Sequence, residues 1–272
     1  MDKFSRNGRV VAITKILSEN PSKIVSLNSF SGKLNAAKST ISEDMVIVRD
    51  TLERLSLGKV KTISGAAGGI KFIGDVSKEN KMEFANNLCK ALGDKERIVA
   101  GTFIYMTDIM YNPEVISKAG LILSTFFQEK DIDYVVTVET KGIPLAYEVA
   151  RNLGVQLVIV RRDNKVTEGP TVTINYVSGS TGMIQNMSLS KKSLRNGSKC
   201  IYIDDFMKSG GTALGIKELL KEFDSELLGM AVLIDNIETN NKLVDDYVSI
   251  VEFEGLDKDK KAILRPSTLF QE

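Results

Sequence analysis

A short apolar run that ends in two adjacent carboxylates constrains the fold of this chain more than any other feature. Residues 200–203 predict a buried strand, Asp204 and Asp205 follow it, and a Gly-Gly turn then opens a helix. Backbone N–H groups around Gly210 and Gly211 can surround phosphate oxygens, and the dipole at the helix start favours the same negative charge. Because carboxylates would repel a phosphate, we expect both aspartates to accept from ribose hydroxyls or to bind a cation.

The whole segment resembles the phosphoribosyl pyrophosphate (PRPP) signature of type I phosphoribosyltransferases. That signature is a hydrophobic strand, two acids, a short spacer and Ser/Thr-Gly-Gly-Thr, and all of its parts are present here. The resemblance implies PRPP binding without implying catalysis. The residues that it assigns to the ligand are Asp204, Asp205, Phe206, Met207, Lys208, Ser209, Gly210, Gly211 and Thr212. The alternative is a solvated Asp-Asp turn followed by a glycine-rich connection.

Two other loops follow predicted strands and should converge with the Asp-Asp loop at one edge of a parallel sheet. The loop 139–144 resembles the pyrophosphate-binding loop of the same family, through Thr140, Lys141 and Gly142. The loop 161–165 leads into two β-like runs that look like the mobile hood-like hairpin of these enzymes, and Arg162 and Lys165 could reach the pyrophosphate. The alternatives are an ordinary strand–Gly–helix turn for the first loop and a charged strand end in water for the second.

Helices and strands alternate in the C-terminal part of the sequence. Helices are expected at 84–92, from Asn112-Pro113 to about Phe127, and at 144–153, with buried strands at 134–138, 157–160, 200–203 and 229–234. This alternation indicates an α/β fold with a mostly parallel sheet, in which ligands bind at the carboxyl ends of the strands. Over 134–234 the order and loop chemistry resemble the purine and xanthine phosphoribosyltransferases.

The N-terminal part of the chain has a different charge balance from the rest. Residues 1–74 contain 12 Lys and Arg against 6 Asp and Glu, a balance of +6. The whole chain carries only +1, so the remainder is mildly acidic at −5. A basic segment on an acidic body predicts two domains, the first of which meets a polyanion.

The N-terminal pattern predicts three helices and a hairpin. The helices run through residues 10–17, around 29–34, and from Ser39 as N-cap to near Gly58, and the β runs are 59–63 and 70–73. This arrangement is typical of a winged helix-turn-helix, in which the start of the third helix enters the major groove of DNA. The alternative is a small helical dimerisation module whose lysines are only solvated.

The predicted DNA contacts lie mainly at the start of the third helix. Residues that can reach phosphates or base edges there are Lys38, Ser39, Thr40 and Ser42. Arg6, Arg9 and Lys61 would contact the DNA backbone. Glu43 and Asp44 argue mildly against DNA binding, although they could instead interact with the positive end of the helix.

Composition excludes several kinds of chemistry. The chain has no histidine, which excludes His-based acid–base catalysis, Ser-His triads and His metal ligands. Cys89 and Cys200 lie in apolar patterns, so we expect reduced core thiols in a cytoplasmic protein. No run is apolar enough to span a membrane, and residues 1–4 do not begin a signal peptide, so no membrane contact is expected.

Taken together, the two halves resemble the purine operon regulator (PurR) family of Gram-positive bacteria over essentially the whole chain. Particular resemblances are at 38–44, 163–169 and 204–212. The family implies a winged-helix DNA-binding domain at 1–74 and a type I phosphoribosyltransferase-like domain at 75–272. It also implies that PRPP is a signal and that the promoter region of purine genes is the target. Mg²⁺ is a candidate companion of PRPP in this site. We expect a homodimer, since one recognition helix alone would bind DNA weakly.

Two features agree with a domain that has lost catalysis, and for that reason we assign neither catalytic residues nor a protein metal site. The tip 178–182 contains no acid that could protonate or hold a purine, and Lys208 stands where the enzymes usually have a small residue. The main alternative is an active purine phosphoribosyltransferase of the xanthine or adenine type with an unrelated extension. A PRPP-synthetase-like homologue that acts only as an oligomerisation partner is a third reading. The direction of regulation, activation or repression, stays open.

Overall fold

The computed structural model describes residues 3–99, 103–163, 167, 169–178, 182–239 and 241–270. Contacts within the chain divide it into two compact units, one of residues 1–77 with 151–154 and one of residues 78–150 with 155–272. Over the described ranges, no helix is both long and apolar enough to cross a membrane.

The first unit consists of three helices and a small antiparallel sheet, as the sequence predicted. Its elements are α1 (Arg6–Glu19), β1 (Ile24–Val25), α2 (Leu27–Leu34), α3 (Lys38–Arg54), β2 (Gly58–Ile63) and β3 (Gly69–Gly74). The strand order is β1-β3-β2, with β2 and β3 forming the predicted hairpin. Strand β1 was not predicted, because two residues are too few to show an alternating pattern.

Apolar residues three or four positions apart give each helix of this unit one buried face. They form a single core, which contains Ile13, Leu17, Phe30, Leu34, Ile41, Met45, Val48, Leu52, Val60, Ile70 and Phe72. Helix α3 begins two residues earlier than predicted, with Ala37 as its N-cap. The prediction of Ser39 as the cap is therefore wrong: Ser39 lies exposed in the first turn.

An ion pair between α1 and α3 lies inside this unit. Arg9 donates from Nε to Asp44 Oδ2 at 2.6 Å and from Nη1 to the carbonyl of Phe4 at 2.9 Å. The two charged side chains are only 9% and 1% exposed. The predicted contact of Arg9 with the DNA backbone is thus wrong, because its guanidinium is turned inward and neutralises a buried carboxylate. Arg6 approaches the same carboxylate from outside, at 3.5 Å with 60% of its side chain exposed.

The second unit is built around a six-stranded sheet. The strands of the whole unit, including two small hairpins outside this sheet, are β4 (Ile98–Val99), β5 (Phe103–Ile104), β6 (Tyr134–Val138), β7 (Gln156–Val160), β8 (Thr171–Val177), β9 (Ile184–Ser190), β10 (Lys199–Met207), β11 (Glu226–Asn236), β12 (Tyr247–Leu256) and β13 (Ala262–Pro266). Its helices are α4 (Lys78–Leu92), α5 (Thr107–Met110), α6 (Pro113–Ser124), α7 (Ile143–Leu153) and α8 (Gly211–Lys221).

The order of the large sheet is β13-β12-β11-β10-β6-β7, and every neighbouring pair is parallel except β12 with β13. The mostly parallel sheet is therefore confirmed. Strands β8 and β9 form a separate antiparallel hairpin, and β4 and β5 form another. Strands β12 and β13 were not predicted.

Strand β10 is longer than its apolar run indicates. It continues through Asp204 and Asp205 to Met207, and Asp204 pairs with Val232 of β11. The two acids thus belong to the strand end and not to the loop after it. This placement fixes their backbone through the ladder of the sheet, and only the residues beyond Met207 form the turn.

Both cysteines are free thiols, in agreement with the prediction. Cys200 is buried in the core of the second unit and Cys89 is half-buried on α4. Burial raises the pKa of each thiol to about 12. The thiols therefore stay protonated and unreactive at neutral pH.

We expect the substitution Arg9→Met to destabilise the first unit by about 3 kcal/mol, because it leaves the Asp44 carboxylate buried without its main partner. Arg6→Met is the matched control: it removes an exposed partner of the same carboxylate and should cost less than about 1 kcal/mol. Native-state hydrogen exchange of α1 and α3 amides in the full-length protein measures both. Equal effects of the two substitutions would contradict this account of the ion pair.

Candidate functional site

A cavity of 610 Å³ opens at the carboxyl ends of the central strands β6 and β10. Three of the loops singled out in the sequence contribute to its wall, through residues 139–141, 162–163 and 204–213. Phe103, Ile104 and Met106 line another part of it. The convergence follows from the sheet topology, since parallel strands deliver their following loops to the same edge.

Asp204 is held at the base of this cavity. Its Oδ2 accepts a short hydrogen bond from the hydroxyl of Tyr202, and its Oδ1 accepts from the backbone N–H of Asp205 at 2.9 Å. Burial, followed by the neighbouring charge of Asp205, raises the pKa of Asp204 well above its usual range. Burial also raises the pKa of Tyr202, so that its hydroxyl stays a donor. The site thus keeps a carboxyl group in surroundings that disfavour its charge, as is common in functional sites.

Gly142 brings the loop after β6 directly against Asp204. A Cβ at this position would lie 2.5 Å from Asp204 Oδ1 and 2.7 Å from Thr137 Oγ1. Since real Cβ atoms do not approach oxygen so closely, the loop can contact the strand end only with glycine here.

Glu139 joins the two loops that carry the predicted pyrophosphate contacts. Its Oε2 accepts from Arg161 Nη1 at 3.0 Å and its Oε1 accepts from the backbone N–H of Arg162 at 2.9 Å. These charge-assisted bonds are stronger than neutral ones. They hold the start of the 139–142 loop next to the start of the 161–163 segment, on one side of the cavity.

The start of α8 supplies backbone donors to the cavity. Gly210 is the N-cap in a left-handed conformation with φ +83°, and over the described chain no side chain caps this helix. The first N–H groups of a helix have no partner within it, so those of Gly211, Thr212 and Ala213 can bind an anion. All three residues line the cavity.

The turn before α8 is held by hydrogen bonds from Lys242 and Leu243, a segment that was not predicted to contribute to the site. Lys242 Nζ donates to the carbonyl oxygens of Met207 at 3.3 Å and Lys208 at 2.6 Å, and to Asp235 Oδ1 at 2.6 Å. The next N–H, of Leu243, donates to the carbonyl of Ser209 at 2.8 Å. The turn is therefore fixed by the chain that follows β11.

The far side of the cavity is apolar and aromatic. Phe103 is 53% exposed there, and Lys208 Nζ lies 5.8 Å from the centre of its ring. This distance is within the range of a cation–π interaction. The wall can accept a flat ring, and the side chain of Lys208 lies at the turn beside it.

The structure brings together most residues predicted for the ligand. Those that line the cavity are Thr140, Lys141, Arg162, Asp204, Asp205, Phe206, Met207, Lys208, Ser209, Gly210, Gly211 and Thr212. Gly142 lies just behind them, and Lys165 falls outside the described residues. Sequence reasoning missed the lining residues Phe103, Ile104, Met106, Val138, Glu139, Asp163, Tyr202, Ala213 and Asn236. The aromatic run at 103–106 was the signal that could have indicated the apolar wall.

The first unit presents its predicted DNA residues in a mixed way. Lys38, Ser39 and Ser42 are exposed at the start of α3, whereas Thr40 is half-buried. Arg6 is exposed and remains available for a backbone contact, unlike Arg9.

The hairpin of the first unit adds a basic pair. Lys61 on β2 stands directly opposite Lys71 on β3. Like charges facing each other across a sheet destabilise it, and a bound phosphate would relieve that repulsion. Arg49 of α3 donates to the carbonyl of Val60 at 3.1 Å and to Thr62 Oγ1 at 3.2 Å, so the hairpin has a fixed position relative to α3. Sequence reasoning missed Lys71, which only the strand register reveals.

Known families match both parts of the chain. Residues 5–74 match the family described as "Bacterial purine repressor, N-terminal", and residues 107–270 match the phosphoribosyl transferase domain. The purine biosynthesis transcriptional repressor PurR of Bacillus subtilis is 46% identical, covering 96% of this chain and 92% of its own. The purine biosynthesis transcriptional activator PurR of Lactococcus lactis is 40% identical, covering 96% of both chains.

A solved enzyme structure shares the fold of the second unit. An adenine phosphoribosyltransferase from Thermoanaerobacter pseudethanolicus matches with a TM-score of 0.53 and 17% identity, covering 62% of this chain and 99% of the enzyme. At this level of identity the likeness shows the fold alone.

We expect Asp204→Asn to stabilise the protein at neutral pH by roughly 1 kcal/mol or more, the scale of one desolvated polar group. Because folding raises the pKa of Asp204, its charged form opposes folding. The wild type therefore loses stability relative to the variant as pH rises above the unfolded pKa of about 4. Urea unfolding between pH 4 and 8 measures this difference. A wild type more stable than Asp204→Asn at pH 7 would refute the assignment.

Proposed function

The chain belongs to the PurR family of purine biosynthesis transcriptional regulators, and we propose that it binds the promoter DNA of purine genes under the control of PRPP. The observation that carries this proposal is the convergence of three features in one cavity. They are the acid pair at the end of β10, the uncapped start of α8 and the loop after β6. Each suits a different part of PRPP.

The phosphate of PRPP is assigned to the turn before α8. Backbone N–H groups of Gly211 and Thr212, the hydroxyl of Ser209 and the dipole of α8 all favour an anion at this point. Asp204 and Asp205 face the same cavity and would accept from the ribose hydroxyls. The loop 140–142 and Arg162 would hold the pyrophosphate, with Mg²⁺ carried mainly by the pyrophosphate oxygens.

DNA binding is assigned to the first unit. The start of α3 presents Lys38, Ser39 and Ser42 to the solvent, as a recognition helix requires. Lys61 and Lys71 on the hairpin and Arg6 at the start of α1 would contact phosphates. A symmetric dimer would place two such helices on paired half-sites, and we include a homodimer in the proposal on that ground. Such a regulator works in the cytoplasm, where the DNA lies.

We assign the second unit to sensing and not to turnover. The relatives that cover 96% of the chain are named as regulators. Lys208 adds a cation at the turn, which favours binding of a polyanion. An active purine phosphoribosyltransferase is the competing function, because the second unit shares the enzyme fold. Catalysis in such a site consists largely of positioning, so an assay has to decide.

PRPP can control DNA binding only if it binds the two functional states of the protein with different affinity. Relatives at 46% and 40% identity are named repressor and activator, so the proposal includes both a decrease and an increase of DNA affinity when PRPP binds. Release from DNA and recruitment to DNA are both forms of the same coupling.

We expect full-length protein to bind the promoter region of purine genes with an affinity that changes at least tenfold when PRPP and Mg²⁺ are added. Fluorescence anisotropy of labelled promoter DNA measures the affinity, with a scrambled duplex as the DNA control. Ribose 5-phosphate, which lacks the pyrophosphate, is the matched ligand control and should have a smaller effect. Unchanged affinity with PRPP would contradict the proposed control.

The same assay tests the basic residues, because phosphate contacts set its salt dependence. Lys61→Ala and Lys71→Ala should each reduce the slope of log affinity against log salt by about 0.9. Lys258→Ala, which changes an exposed lysine of the second unit, should leave the slope unchanged.

A separate assay tests the competing function. Pyrophosphate release from PRPP with xanthine, guanine, hypoxanthine or adenine, at ordinary enzymatic rates, would support an active phosphoribosyltransferase instead.

A further inference from the structure

The ammonium group of Lys242 is surrounded by oxygen atoms of two chain segments. It donates to the carbonyl oxygens of Met207, Lys208 and Asn236 and to Asp235 Oδ1, at distances of 2.6 to 3.3 Å. Its side chain is only 14% exposed. Three carbonyl oxygens and a carboxylate form the kind of oxygen shell that proteins build around a hard cation. The lysine occupies the centre of that shell.

The carboxylate of this shell is itself fixed. Asp235 Oδ2 accepts from the hydroxyl of Tyr247 at 3.0 Å, while Oδ1 faces Lys242. The Lys242 ammonium also lies 5.8 Å from the centre of the Tyr247 ring. The ends of β10 and β11 and the start of β12 therefore meet at one charge.

The same segment continues the contact with the ligand turn. Leu243 N–H donates to the carbonyl of Ser209 at 2.8 Å, and Val244 packs under Gly210, where an added Cβ would lie 2.8 Å from its Cγ2. Every residue from 207 to 210 thus has a contact with residues 242–244. Lys242 and the N–H of Leu243 together bind the carbonyl oxygens of Met207, Lys208 and Ser209, so these acceptors of the turn are already occupied.

We propose that Lys242 is a positioning residue that serves as a built-in cation and holds the turn 207–210 in its anion-binding shape. The inference rests on the proposed function, since the anion in question is the phosphate of PRPP. Positive charge is required at this position, and apolar bulk is insufficient, because four oxygen acceptors would otherwise face one another without a donor. An external cation can therefore replace the lysine when space is made for it.

The test compares Lys242→Ala, which opens the oxygen shell, with Lys242→Met, which fills the same space without charge. Binding of PRPP with Mg²⁺ to the full-length protein is measured by calorimetry, with and without methylammonium or ammonium chloride. Both variants should bind PRPP at least tenfold more weakly than the wild type. Added ammonium ions should restore most of the affinity of Lys242→Ala and none of that of Lys242→Met, with sodium chloride at equal ionic strength as the control.

A purely structural role for the side chain predicts a different pattern, in which Lys242→Met is milder than Lys242→Ala and ammonium rescues neither. That result, or wild-type affinity in Lys242→Ala, would overturn the inference. If Lys242→Ala does not fold, Asp235→Asn weakens the same shell at constant volume and should still reduce PRPP affinity several-fold, and unchanged affinity would count against the proposal.

Hydrogen exchange at residues 207–210 without any ligand separates this inference from the proposed function. Lys242→Ala should exchange at least tenfold faster there than the wild type, and ammonium should reverse the change. If Lys242→Ala shows this change in exchange but the wild type binds no PRPP, the proposed ligand is wrong while the role of Lys242 stands. If PRPP binds and the exchange is unaffected by the substitution, the role of Lys242 is wrong.

Discussion

The cavity at the ends of β6 and β10 depends on one carboxylate, that of Asp204, which is held at the half-buried end of β10. The sheet fixes its backbone, Tyr202 and the N–H of Asp205 fix its oxygens, and Gly142 allows the neighbouring loop to reach it. This placement raises the pKa of the group and so works against folding at neutral pH. Acids with a perturbed pKa in a cavity are common at functional sites, which agrees with the binding role proposed for Asp204.

Charged side chains have different structural roles in the two units. In the first unit, Arg9 and Asp44 neutralise each other in the interior, and Lys61 and Lys71 repel each other on the hairpin. In the second unit, Lys242 donates hydrogen bonds to carbonyl oxygens of the turn before α8, and the first backbone N–H groups of α8 can bind an anion. Paired charges thus define the shape of each unit, and the basic pair on the hairpin is a surface that favours a polyanion.

Much of this arrangement could be predicted from the sequence, since it depends on local pattern. The alternation of apolar runs with helices gave the parallel sheet, and the loops at 140–142 and 204–212 were expected to meet, as they do. What could not be predicted depends on long-range contacts. A basic residue shows the same letter in the sequence whether it is exposed or buried, so neither the burial of Arg9 in α1 nor the oxygen shell around Lys242 could be predicted. The position of Lys71 opposite Lys61 depends on the register of β2 and β3, which the sequence does not show. The apolar wall at Phe103 belongs to a hairpin whose strands have two residues each, too few to give a recognisable pattern.

Calorimetric titration with PRPP and Mg²⁺ shows whether Asp204 and Asp205 bind PRPP in this cavity, as we propose. Wild-type protein should bind PRPP, and the double variant Asp204→Ala, Asp205→Ala should bind it at least about tenfold more weakly, a loss of roughly 1.4 kcal/mol. The variant should keep wild-type affinity for promoter DNA in the absence of PRPP. Equal affinity of both proteins for PRPP, or no binding by the wild type, would contradict the account.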